Sequence, residues 1–202
     1  MGKHSGGTRI ARPISGAKIA SGGIPSTGEG SKRHDWNKFT HANIRAAEQS
    51  IRANTYETAF VFDSSGNLIE SAKGDAHSVG LGAIPENSIV THNHPSGVTF
   101  SKQDILTATK SNLVEIRAVG TKRTYSMKRP ESGWGSREKL IPIISRAEIR
   151  TRERLTNYIR RGSLISPSEQ QKRVNQANQL HMHLVWKSVA KEMGWEYRTS
   201  TT

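Results

Sequence analysis

No cysteine occurs in the 202 residues, which excludes a disulfide framework and any thiolate metal site. Apolar residues are scarce, at 33% of the chain with 6% aromatic, so a core can form only where they are concentrated. No apolar run approaches the roughly 20 residues a membrane helix needs. The N-terminus is basic, but no apolar stretch of the secretory type follows it. The expectation is a soluble, cytoplasmic protein with no membrane partner.

Negative charge is also in deficit. Thirty Lys/Arg face 17 Asp/Glu, a formal net charge of +13, and the excess is unevenly spread. Residues 57–130 hold eight basic against seven acidic side chains, residues 1–40 seven against two, and residues 131–202 thirteen against seven. A nearly neutral centre with basic flanks suggests contact with nucleic acid or an acidic protein surface. Solubility alone is the plainer reading of the same charges.

What is present divides the chain in three. Residues 1–34 are rich in Gly, Ser, Pro and basic side chains, a composition that buries too little surface to offset its ordering entropy; they read as a flexible basic arm. Residues 35–130 read as the central domain. There Phe39, Ile44, Ala47 and Ile51 fall at helical spacing. Strands are expected at 58–63, 68–71, 88–94, 113–119 and 124–127, with a weaker one at 78–81 and a helix over 101–111. Such an order gives a mixed α/β sandwich without strict βαβ alternation. Residues 131–202 read as a basic helical extension: a helix over 143–161 ended by Gly162, then one from Ser166-Pro167 to Met193 stopped by Gly194.

The chemistry concentrates in His92-Asn-His94-Pro-Ser-Gly-Val-Thr-Phe-Ser101-Lys-Gln-Asp104. Residues i and i+2 of a strand point to one side, so His92 and His94 present two imidazoles at a strand end. The following helix returns Asp104 toward them. Two imidazoles and a carboxylate suit Zn²⁺, with a fourth position left for water. Each part has an ordinary reading alone, because His-x-His pairs are common and Ser101-x-x-Asp104 is also a helix cap. Capping and ligation do not compete, and the combination in one short segment is far more specific than its parts.

This segment resembles the JAMM (JAB/MPN+) metalloprotease motif, and its wording His-Asn-His-Pro-Ser-Gly is most similar to RadC-like proteins and JAB domains of phage and mobile elements. The resemblance covers about residues 55–128 and implies a cytidine-deaminase-like mixed sheet flanked by helices. It implies zinc held by His92, His94 and Asp104, with Ser101 steadying the tetrahedral intermediate. It also implies a glutamate on an early strand that shuttles a proton; Glu57 matches that position best, with Glu70 and Glu86 as alternatives. One departure is the loop between His94 and Ser101, six residues long and one shorter than in the best-known members.

The function expected from the resemblance is zinc-dependent hydrolysis of a peptide or isopeptide bond in a protein substrate. The alternative is a structural or binding module of a phage or mobile element, in the host cytoplasm or virion, engaging nucleic acid or a large assembly without turnover. His181-Met-His183 repeats the His-x-His spacing, but on a helix the two side chains diverge by about 200°. That pair reads as a packing or surface feature. Trp186, Trp195 and Tyr197 read as packing between helix and core.

Overall fold

A computed structural model describes residues 37–161 and 166–201; the basic arm expected over 1–34 and the Gly162 stop lie outside them. The elements run α1 (Asn37–Ile51), β1 (Thr58–Phe62), β2 (Leu68–Lys73), β3 (Ile89–Asn93), α2 (Lys102–Lys110), β4 (Glu115–Val119), β5 (Arg123–Lys128), α3 (Arg137–Arg160), α4 (Pro167–Met193) and β6 (Glu196–Thr201). The fold is α/β: a six-stranded mixed sheet of order β2-β1-β3-β4-β5-β6, flanked by helices. Among the described strands only β3 and β4 pair in parallel, and α2 makes the crossover that a parallel pair requires. No described helix is long and apolar enough to cross a membrane.

Strand alternation sorts the core into two layers. Val61, Val90, Ile116, Tyr125 and Met127 point to the side covered by α2, α3 and α4, where they pack with Ile105, Leu140, Ile144, Val185 and Trp186. Phe62 and Ile89 point the other way and bury Ile44 of α1. The second face also holds charge. Arg117 of β4 donates from Nε to Glu48 of α1 at 2.6 Å and from one terminal nitrogen to Glu115 at 2.6 Å, and Thr91 donates to the same Glu48 oxygen at 3.1 Å. Burial opposes the Arg117 charge, but Glu48 and Glu115 outweigh it and raise its pKa above the usual guanidinium value.

Three local expectations are corrected. Residues 78–81 are not a strand. β1 is already paired on both edges, by β2 and β3, and the segment does not take the open outer edge of β2 either. Instead Asp75 accepts from the His77 and Ser78 amides, each at 2.8 Å, and folds the segment back over the sheet. The first C-terminal helix starts at Arg137, capped by Ser136, six residues earlier than expected. Pro142 lies inside it and removes one intrahelical bond without ending it.

The third correction is the largest. The segment after Met193 is not a tail to a helical extension: Gly194 in the left-handed conformation (φ 70°) stops α4, and β6 pairs antiparallel with β5 from Lys128↔Glu196 to Arg123↔Thr201. Trp134 and Trp195 meet edge-on at 4.9 Å, and Trp134 donates to the Leu113 carbonyl at 2.7 Å. The C-terminal helices and strand therefore share one core with β1, β3, β4 and β5.

Arg117→Ala would leave two buried carboxylates facing each other without their cation. The expected cost is about 3–5 kcal/mol, read as a lowered midpoint in urea unfolding at neutral pH. An unchanged midpoint would show that this network does not hold α1 to the sheet.

Candidate metal centre

Three ligand atoms converge at the C-terminal end of β3. His92 Nε2 and His94 Nε2 are 2.9 Å apart, and Asp104 Oδ2 lies 3.5 Å from the first and 3.4 Å from the second. Bonds of about 2.0–2.1 Å in a tetrahedral set place ligand atoms roughly 3.3 Å from one another. The observed triangle fits one first-row divalent ion with little movement. Among the described residues these three side chains form a group that can hold a metal ion.

The sheet register brings a fourth group to the same face. Ala59 pairs with His92 across the antiparallel β1–β3 ladder, so two residues further the chain sets Glu57 opposite His94. The Glu57 carboxylate lies 3.9 Å from His94 Nε2 and is buried, at 8% exposure. Burial pushes its pKa above the usual glutamate value, against the opposing pull of His94 and His92. Neither alternative carboxylate is engaged at the centre: Glu70 accepts from the Gly82 amide at 3.0 Å, and Glu86 accepts from Asn112 at 3.4 Å.

Asp104 is held by a capping box. Its Oδ2 accepts from the Ser101 amide at 2.7 Å, while Ser101 Oγ accepts from the Asp104 amide at 3.1 Å. Burial alone would raise the Asp104 pKa, but the two imidazoles overcome it and hold the carboxyl far below the ordinary aspartate range. For His94, burial works against the charged form, while Asp104 and Glu57 together raise its pKa above the usual histidine value.

Between the ligands, the loop of residues 95–100 fixes the aim of His94. Gly97, at φ +72°, closes a turn by donating to the His94 carbonyl at 2.8 Å. His94 Nδ1 is 3.1 Å from the carbonyls of both Val98 and Thr99. Two acceptors there require Nδ1 to carry the proton, which leaves the Nε2 lone pair for a metal. With one residue fewer than expected, the loop still delivers Asp104 to both imidazoles.

Other residues position the site in a role the sequence did not assign to them. Asn93, between the two histidines, points to the opposite face. It accepts from the Thr58 amide at 2.7 Å and donates to the Tyr56 carbonyl at 3.0 Å, which pins the chain on both sides of Glu57. From the C-terminal segment, Trp186 donates to the Phe100 carbonyl at 2.7 Å. Tyr197 hydroxyl lies 3.0 Å from Thr99 Oγ1 and 2.9 Å from His183 Nδ1, so His183 belongs to this support. Burial pushes the Tyr197 pKa well up. Asn93 was visible as the x of His-x-His; the Trp186 and Tyr197 contacts span nearly the whole domain and leave no local signal.

A cleft of about 970 Å³ opens beside the centre. His92, His94, Glu57 and Asp104 line one part, and Leu81, Ile84 and Met182 form an apolar wall. The 74–87 segment, expected to contribute a strand, supplies part of that wall. No family model, curated protein or solved structure matches the chain.

A Cβ on Gly120 would lie 2.9 Å from the Gly97 Cα and carbonyl oxygen, backbone atoms that cannot swing aside. Arg52 further fixes this point by donating to the Gly120 carbonyl and, at 2.9 Å, to Thr124. Gly120→Ala is expected to push the 95–100 loop and weaken metal affinity by about tenfold or more, the range for changes in groups that orient ligands. Competition against a chromogenic chelator measures it, and an unchanged affinity would show that this loop does not aim His94.

Proposed function

We propose that the chain is a zinc-dependent hydrolase of peptide or isopeptide bonds, acting on a protein substrate. The observation that carries this reading is the convergence of His92, His94 and Asp104 with the buried carboxylate of Glu57, 3.9 Å from a ligand nitrogen. The resemblance of His92-x-His94-Pro and Ser101-x-x-Asp104 to the JAMM motif supports the same assignment of roles. Two imidazoles, one carboxylate and a cleft on the open side suit a catalytic zinc better than a closed structural one. Bound there, zinc supplies Lewis acidity that polarises a carbonyl and makes water nucleophilic near neutral pH.

The chain's own groups then divide the proton work. Glu57 takes a proton from the attacking water and returns it to the leaving nitrogen as the C–N bond breaks, giving a carboxylic acid and an amine. Burial raises its pKa above the usual glutamate value, a direction that favours returning the proton to the leaving nitrogen. Ser101 uses an oxygen lone pair to accept the Asp104 amide, so its hydroxyl proton remains free to donate to the developing oxyanion. The apolar wall of the cleft limits water around the reacting bond.

Elemental analysis of protein purified without added metal tests the first part. Wild type is expected to carry about one zinc per chain and His94→Ala almost none. Glu57→Gln is expected to keep its zinc and lose about 10²–10⁴-fold in hydrolysis of a library of linear and isopeptide-linked peptides. A wild type that cannot be loaded at neutral pH would remove the metalloprotease reading. Full zinc without cleavage of any substrate would favour the binding-module reading.

A further inference from the structure

The α3–α4 hairpin leaves the core before it ends. The buried residues of α3 stop at Thr151, and those of α4 start at Ala177. The outer halves of the two helices, 152–160 and 167–176, bury nothing against the sheet. This charged outer part adds no buried residue to the described core and is open to a partner.

Its composition is one-sided. Residues 146–161 hold six arginines, no lysine and two glutamates. Arg152, Arg154, Arg160 and Arg161 are exposed, and none has an ion-pair partner among the described residues. Arg146, Arg150, Arg154 and Arg161 stand at positions 0, 4, 8 and 15, which at 100° per residue keeps them within an arc of about 80° over about 22 Å of helix. Arg146 and Arg150 reach Glu192 at 2.7 and 3.7 Å, exposed pairs that hold little energy and open readily to a stronger anion. The facing stretch of α4 offers six amides between Gln170 and Gln179, all exposed, with Glu169 its single acid from 167 to 179.

We propose that this outer hairpin binds double-stranded nucleic acid. Arginine forks suit phosphate oxygens, and amides hydrogen-bond to phosphate, sugar and base edges. A helix about 10–12 Å across matches a major groove about 12 Å wide. A membrane surface fits less well, because an interfacial helix carries a continuous apolar face, whereas here only Ile149 and Tyr158 are exposed large apolar side chains. An acidic protein fits less well for the related reason that protein interfaces centre on an apolar core. The inference is independent of hydrolysis and places the metal centre on a chain that is carried to nucleic acid.

The test uses the full chain and a fluorescent duplex of about 25 base pairs, with anisotropy read between about 50 and 200 mM salt. The comparison is the variant with Arg152, Arg154, Arg160 and Arg161 all changed to Gln, its fold and zinc content checked against wild type. Wild type is expected to bind with steep salt dependence. The variant should lose about tenfold or more in affinity near 100 mM salt, and its salt slope should fall by about 0.9 for each arginine that touches phosphate. Failure of wild type to bind, or equal binding by the variant, would overturn the proposal; in the second case the affinity lies elsewhere on the chain. Polyglutamate or anionic vesicles bound as tightly as the duplex would overturn it too, in favour of an unspecific anion surface.

Discussion

The capping box at the start of α2 is the contact on which the candidate centre depends. One oxygen of Asp104 accepts the Ser101 amide at 2.7 Å and stands 3.4 and 3.5 Å from the two imidazoles. The bond that starts the helix therefore also fixes the third ligand. Because α2 must cross from β3 to the parallel strand β4, its N-terminus begins just beyond the end of the strand that bears the histidines. Crossover, cap and ligand position are consequences of one chain reversal.

That reversal does not stand alone. The loop over 95–100 closes its own turn at Gly97 and is further braced by distant elements. Trp186 of α4 binds the Phe100 carbonyl, Tyr197 of β6 meets the Thr99 hydroxyl, and Gly120 allows the β4–β5 turn to press against Gly97. The geometry of the candidate centre and the packing of the C-terminal helices are thus joined through a few hydrogen bonds.

The two faces of the sheet solve different problems. On one, His92, His94 and Glu57 border a cleft backed by a large apolar core. On the other, a smaller apolar cluster is joined by the Glu48–Arg117–Glu115 network. Asn93 links them, since its side chain on the second face sets the backbone that presents Glu57 on the first. Strand alternation makes this possible: adjacent residues of β3 serve opposite faces.

Much of this was legible from residue order because it is local. The His-x-His strand end, the Ser101–Asp104 cap, the positions of β1 and β3, and the proline-started helix stopped by Gly194 all follow from periodicity and end signals within a few residues. The expectation of a strand at 78–81 failed because the turn at Asp75 takes up the His77 and Ser78 amides and turns the segment away from the open outer edge of β2. β6 was missed because Glu196–Thr201 is a mostly exposed edge strand whose only warrant is the open side of β5. Residue order alone determined which groups could bind a metal and which stretch carried them. Tertiary structure decided that Glu57, rather than Glu70 or Glu86, faces the imidazoles, and that the last strand props the metal loop. Both depend on pairing register and on contacts between residues up to 98 positions apart, which no local pattern encodes.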